Sequence, residues 1–230
     1  DFVTCVSNSL RDDTREFFGI KREIEVIPNF VDIEKYGKKH LLCERNMIAQ
    51  GDEKIIVHIS NFRPLKRIID VLKIFSRISK KINSKLIMVG DGPDKKKAKD
   101  FLRKNDLKNK VIFLGKTNEV DEILCSSDLF LLPSEKESFG LAALEAMALK
   151  VPVISSNVGG LKELNINGNS GYTSEVGDIE SMANNAIEIL SNEKLEKKFK
   201  TQAFENVKKY DINKVIPLYE AIYKRAIKKS

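Results

Sequence analysis

The sequence predicts an α/β fold: a Rossmann-like, doubly wound parallel sheet. Three observations carry that prediction. Short apolar runs alternate with helical segments along most of the 230 residues. The runs lack the strict apolar–polar alternation of a half-exposed strand, so they read as strands buried on both faces. The loops of unusual composition all follow such runs, and ligands of open parallel sheets bind beyond the carboxyl ends of the strands.

Taken in order, Phe2-Val3-Thr4-Cys5-Val6 reads as a strand, and Ser9 as the cap of a helix reaching Phe17. Glu25-Val26-Ile27-Pro28-Asn29-Phe30-Val31-Asp32 is a short strand ending in a turn. Residues 36–51 are polar and irregular. Residues 54–60 form a buried strand, and 61–66 a loop. Ile68, Val71, Leu72, Phe75 and Ile78 recur at helical spacing, which predicts a helix over 67–82. A strand over 85–89 ends in the turn Gly90-Asp91-Gly92-Pro93. A charged helix over 95–105 precedes a strand over 111–114, closed by Gly115. A short helix over 120–126 leads to a strand over 129–132. Another strand, 151–155, is followed by Gly159-Gly160, and helices over 179–190, 194–209 and 213–228 finish the chain.

Composition narrows the function. The chain is 42% hydrophobic and 32% charged, enough for one large domain or one domain and part of another. It begins at Asp1 in mid-pattern, which suggests a fragment of a longer protein. No apolar run approaches the roughly 20 residues of a membrane span, and no signal peptide is visible. Cys5, Cys43 and Cys125 are scattered and lack metal spacing, which suits a reducing, cytoplasmic setting. His40 and His58 are too few and too far apart for a histidine metal site. The formal net charge of +7 suits a phosphorylated substrate, anionic lipid or nucleic acid. Sparse aromatics, not interleaved with the basic residues, argue against nucleic acid. The runs Lys95-Lys96-Lys97 and Lys197-Lys198 read as solvated helix faces.

The stretch from Ser134 to Ala148 organises the rest. From Phe139 to Leu149 every residue is apolar except Gly140 and Glu145. That reads as a helix buried nearly all round, starting near Ser138 as N-cap. Gly140 lets a ligand approach the first turn, whose N–H groups suit phosphate oxygens. Were the segment helical throughout, Glu137 and Glu145 would stand about 12 Å apart along the axis. That separation suits an extended nucleotide-sugar; the plainer alternative is a core helix with Glu137 solvated and Glu145 bonded to backbone. Arg63 and Lys66 are placed to clamp a diphosphate, or belong to an ordinary basic loop. The Gly90–Gly92 turn brings backbone close to a ligand, or is a plain turn. His58 orients a neighbour, donates to an oxygen, or is a satisfied structural histidine. Asp94, Asp121 and Glu122 lack Asp-x-Asp spacing, so no obligatory metal or cofactor is inferred.

Glu137, seven residues, then Glu145, with Phe139-Gly140 between, resembles the signature of the retaining glycosyltransferases of family four, which have the GT-B fold. Val26-Ile27-Pro28-Asn29, Val89-Gly90-Asp91-Gly92-Pro93, Phe113-Leu114-Gly115, Ser127-Asp128-Leu129, Pro133-Ser134 and Val158-Gly159-Gly160 with Glu163 fall in family order. Residues 58–67 and 134–141 are similar to the subgroup that moves N-acetylglucosamine from UDP onto L-malate in bacillithiol biosynthesis.

By that resemblance Glu145 holds the ribose hydroxyls and Glu137 faces the transferred sugar. Ser138 opens the phosphate-binding turn, and the N–H groups of Phe139, Gly140 and Leu141 meet the distal phosphate. Arg63 and Lys66 hold the diphosphate, and uracil lies near Lys116 and Thr117. Ser60-Asn61 stand where most of the family has Gly-Arg, and either Asn61 or Arg63 replaces that arginine. Lys136 stands where many relatives differ.

The resemblance also implies an architecture. Residues 1–29 would end an N-terminal domain and its linker, 30–212 would be the donor-binding domain, and 213–230 a helix returning to the missing N-terminal domain, which carries most acceptor contacts. The implied partners are a UDP-sugar and a small acceptor such as L-malate, with a homo-oligomer left open. Two other readings stand beside this one: a transferase with another sugar or a lipid or glycan acceptor, and a non-catalytic uridine-nucleotide-binding module.

Overall fold

The structure, a computed structural model, describes residues 2–38 and 45–229. A small unit comes first. β1 (Thr4–Cys5) leads into α1 (Asn8–Phe18) and pairs in parallel with β2 (Glu25–Val26). Short helices α2 (Ile33–Lys38) and α3 (Arg45–Ile48) follow, where an irregular segment over 36–51 was expected. Residues 39–44, with His40 and Cys43, lie outside the described residues.

The main sheet is built from six parallel strands: β3 (Lys54–Ile59), β4 (Ser84–Val89), β5 (Val111–Gly115), β6 (Leu129–Leu132), β7 (Val153–Ser156) and β8 (Gly171–Ser174). Their spatial order is β5-β4-β3-β6-β7-β8. The chain winds outward from β3 to β5, then returns to the other side of β3 and winds outward again. The switch point, where a crevice opens, therefore lies between β3 and β6. Asp128 fixes the start of that junction by accepting from the Ile55 N–H (2.7 Å) and from Arg45 Nη2 (2.9 Å).

Both faces of the sheet are covered, as unbroken apolar strands require. Ile55 and Val57 of β3 point to one core and Ile56 to the other. The first core includes α6 (Val120–Cys125), α7 (Leu141–Ala148) and α10 (Glu193–Val207); the second includes α4 (Ile68–Ile78), α5 (Lys95–Lys104) and α9 (Ile179–Ser191). The last helix, α11 (Ile212–Lys229), turns back to the small unit. Its Val215 and Ile222 pack with Ile27, and Arg225 pairs with Glu25.

Some details depart from expectation. The side chain capping α1 is Ser7, which accepts from the Leu10 N–H, and not Ser9. Ser9 instead gives its N–H to Glu163 (2.9 Å). α8 (Leu161–Leu164) and β8 were not foreseen. Cys5 is a buried free thiol, and Cys125 is disulfide-bonded. Among the described residues no helix is long and apolar enough to cross a membrane.

The turn after β4 packs directly on the loop after β3. A Cβ added at Gly90 (φ +120°) would lie 1.8 Å from the Ser60 carbonyl oxygen. Gly19, at φ +62°, has open space around it. Gly19→Ala should therefore lose only the left-handed penalty, about 1–2 kcal/mol. Gly90→Ala should lose distinctly more, because a backbone must move. Urea unfolding of the two variants checks this order, and equal losses would mean that the loop gives way freely.

Candidate functional site

Two loops meet at the switch point, one after β6 and one after β3. After β6 the chain passes through Ser134, which is fully buried and donates to Glu137 Oε1 at 3.0 Å. Lys66 Nζ contacts the same oxygen. Glu137 is thus held by two donors and is not a solvated side chain. α7 begins at Leu141, not near Ser138, because Gly140 sits at φ +96°. Ser138 caps nothing, and the 12 Å spacing that assumed a continuous helix does not apply. The N–H groups of Phe139, Gly140 and Leu141 have no hydrogen-bond acceptor among the described residues. They are the free donors of a helix start.

The loop is pressed from above by the turn after β7. The Gly160 N–H donates to the Glu137 carbonyl (3.0 Å), and a Cβ at Gly159 would lie 1.9 Å from that oxygen. Ser7 Oγ donates to the Ser138 carbonyl (2.6 Å) from the small unit.

Glu145 lies on the second turn of α7. Burial, then nearby Asp121, push its carboxyl above the usual range, while Lys35 works the other way. Lys35 Nζ also lies 3.5 Å from Asp121. Tyr36 is pushed up by burial and by Asp121, Glu145 and Asp32. Together these groups make one anionic, half-buried end of the site.

After β3, His58 is fully buried, and burial pulls it down to about 4, so it is neutral at ordinary pH. Its Nδ1 lies 2.8 Å from the Leu131 carbonyl, which only accepts; Nδ1 therefore carries the proton. Nε2 then accepts from Ser60 Oγ at 2.8 Å. The Gly90–Gly92 turn packs on this loop: Gly90 faces the Ser60 carbonyl and Gly92 the Asn61 carbonyl.

A cavity of about 380 Å³ opens over the junction, lined by Ser60, Asn61 and Lys66 on one side and by Glu137 through Ala142 with Glu145 on the other. A second, of about 480 Å³, shares Asn61, Lys66, Glu137 and Ser138 and adds Arg63, Lys136, Gly159 and residues of α1. The structure thus gathers Asn61, Lys66, Glu137, Ser138, Phe139, Gly140, Leu141 and Glu145 in one cavity and Arg63 in its neighbour. Neither cavity is lined by Gly90, Gly92, Lys116 or Thr117. The Thr117 hydroxyl is occupied locally, accepting from the Glu119 N–H (3.1 Å). Sequence reasoning missed Ser60 and Asn29 as lining residues; only their places after strands signalled them. Among the described residues no three His, Cys, Asp or Glu side chains gather as metal ligands.

Residues 44–206 match the family model described as glycosyl transferases group 1. The chain is 40% identical over 225 residues to the N-acetyl-alpha-D-glucosaminyl L-malate synthase of Bacillus anthracis, covering 97% of this chain and 59% of that protein. A crystal structure of a TarM variant from Staphylococcus aureus, in complex with fondaparinux, alpha-GlcNAc-glycerol and UDP, superposes with a TM-score of 0.83 at 25% identity. That match covers 96% of this chain and 43% of TarM. The sucrose-phosphate synthase of Thermosynechococcus elongatus shares the fold, with a TM-score of 0.90 at 22% identity, over 100% of this chain and 59% of that one. The chain therefore spans well under two thirds of these proteins.

The raised Glu145 carboxyl makes a prediction about stability. A carboxyl whose folded pKa exceeds its unfolded value loses stability as pH rises from the unfolded value through the folded one. Glu145→Gln should therefore be more stable than the native chain at pH 7, without ligand, and show no gain near pH 4. Denaturant unfolding at the two pH values measures this. A loss at pH 7 would mean that Lys35 stabilises the charge by more than burial disfavours it.

Proposed function

The chain belongs to the group 1 glycosyl transferases, and on that premise we propose that it is the donor-binding portion of a retaining N-acetylglucosaminyltransferase acting on L-malate. The fold is that of the GT-B glycosyltransferases. The observation that carries the reading is the 40% identity to the malate synthase along nearly the whole chain, together with a cavity that places free helix-start N–H groups between two glutamates.

In this reading the cavity takes the UDP of UDP-N-acetylglucosamine. The N–H groups of Phe139, Gly140 and Leu141 meet the distal phosphate, where a helix start favours negative charge. Lys66, Asn61 and, from the next cavity, Arg63 face the diphosphate, and Glu145 accepts from the ribose hydroxyls. Lys116 and Thr117 lie toward the uracil. Glu137, fixed by Ser134 and Lys66, orients the sugar. The bond from the sugar C1 to the diphosphate oxygen breaks with its electron pair left on the leaving phosphate; the incoming malate hydroxyl bonds to C1 from the same face through its own lone pair and gives its proton to that phosphate. The protein's part is to orient the reactants and to stabilise the charge growing on the diphosphate. No metal or other cofactor is required.

Residues 1–29 and 213–230 then belong with a further domain that carries most acceptor contacts. The packing of α11 on β2 and Ile27 supports that division. The isolated chain would bind donor without turnover, and the full-length protein would act in the cytoplasm.

Giving the full-length protein UDP-N-acetylglucosamine and a panel of acceptors, with and without chelator, tests the reading by product mass. A malate glycoside formed equally in both conditions is expected. Product only on a lipid or glycan acceptor would point to a related transferase, and UDP binding without any product to a binding module. Abolition by chelator would refute the metal-free site.

Lys66→Ala should weaken UDP far more than uridine. A charged hydrogen bond contributes about 1.5–3 kcal/mol, or roughly tenfold and more in affinity. Glu137→Gln should instead lower turnover and leave UDP affinity nearly unchanged, because its partner is the sugar. Calorimetry and steady-state kinetics separate the two. Loss of UDP binding in Glu137→Gln would reverse the proposed direction of the donor.

A further inference from the structure

We propose that His58 is a positioning residue of the donor site, holding Ser60 and Asn61 in the one loop conformation that sets Asn61 and Lys66 beside Glu137. The inference rests on the reading of the cavity as the donor site; His58 does not itself line the cavity but bonds to Ser60, which does.

The geometry of the imidazole is fully committed. Its Nδ1–H donates to the Leu131 carbonyl on β6 (2.8 Å), and its Nε2 accepts from Ser60 Oγ (2.8 Å). Leu131 lies on the strand that leads to Ser134 and Glu137, and Ser60 begins the loop that leads to Lys66. One buried ring thus ties together the strands from which the two halves of the site emerge. With its proton given to His58, Ser60 Oγ is left as an acceptor, and the Phe62 N–H donates to it at 3.3 Å.

That last bond closes a conformation the chain would not adopt unaided. Phe62 has φ +42°, unusual for a bulky residue. Its ring is fully buried, stacked 6.2 Å from the imidazole and edge-on 6.2 Å from Phe113. On the other side of the loop the Ser60 and Asn61 carbonyls press on Gly90 and Gly92, and the Phe62 carbonyl accepts from the Asp94 N–H at 3.0 Å.

Between these constraints Asn61 projects into both cavities, and its amide has no hydrogen-bond partner among the described residues. The turn that follows, closed by the Lys66 N–H donating to the Arg63 carbonyl (2.8 Å), sets Lys66 on Glu137. Packing alone does not need an imidazole at position 58, because an apolar ring would fill the space. A donor to Leu131 and an acceptor for Ser60 at two fixed points do need one.

The test uses the full-length protein with three variants. His58→Asn keeps an N–H near the Leu131 carbonyl and removes the acceptor for Ser60. Ser60→Ala removes the same bond from its other end, and Ser60→Thr keeps the hydroxyl. Calorimetry gives UDP affinity, initial rates give kcat and both KM values, and circular dichroism gives the folded fraction.

His58→Asn and Ser60→Ala are each expected to lower kcat/KM for the donor about tenfold per folded molecule, with acceptor KM unchanged. The double variant should be no worse than either single one, since both remove one interaction. Ser60→Thr should retain most activity. Unchanged kinetic constants per folded molecule, with only a lower melting temperature, would overturn the proposal and leave His58 a core residue. Losses that multiply in the double variant would also overturn it. A wild-type protein that binds no UDP would overturn the donor-site reading and this inference with it, whereas UDP binding by wild type with unaltered variants would overturn this inference alone.

Discussion

The site depends on backbone pressed against backbone at the carboxyl edge of the sheet. Gly90 and Gly92 lie against the carbonyls of Ser60 and Asn61, and Gly159 and Gly160 against those of Glu137 and Ser138. Any Cβ at these four positions would come within 2.4 Å of a carbonyl oxygen. Each loop that lines the cavity is thus supported by the loop of the neighbouring outer strand. Asn61 and Glu137 then start from fixed points, and the ordering entropy is met in folding rather than in binding.

Charge is arranged with the same economy. Lys66 stands on Glu137, so any anion entering the cavity meets a cation that already has a partner and must share it. Glu145 is the opposite case. It sits half-buried near Asp121, at a disadvantage to the empty fold, with Lys35 offering partial relief. A carboxylate kept in such a place fits a group held for a ligand, since stability alone would remove it.

Most of the sheet was legible because buried parallel strands are continuous apolar runs, and β3, β4, β6 and β7 are of that kind. β8 was not, because Gly171-Tyr172-Thr173-Ser174 is a polar edge strand with only its ends buried. The glutamate pair was legible by spacing and the helix by composition. The late start of α7 was not, because it turns on the positive φ of Gly140, set by the packing of Leu161 where a side chain would go. The glycines of the turn after β4 were legible as special, but their packing on the Ser60 and Asn61 carbonyls was not, because a close approach to one's own chain leaves no local pattern in sequence. The pairing of Lys66 with Glu137 spans 71 residues, and no local pattern encodes it.

One further consequence follows from where the small unit attaches. α1 meets the main sheet through its own N-terminus. The Glu163 carboxylate accepts from the Asn8 N–H, the Asn8 amide and the Ser9 N–H, at 3.1, 2.7 and 2.9 Å. Burial alone would push Glu163 up, but these donors hold it below the usual carboxylate range. A carboxylate there suits the positive end of the helix. Glu163 lies three residues beyond Gly160, on α8, and Ser7, the cap of α1, donates to the Ser138 carbonyl. The entrance to α7 is therefore bounded on three sides: by the Gly159-Gly160 turn, by Lys66, and by the start of α1. Two of those contacts come from the main sheet and one from the small unit, so the position of the small unit and the shape of the loop carrying Glu137 are mechanically joined.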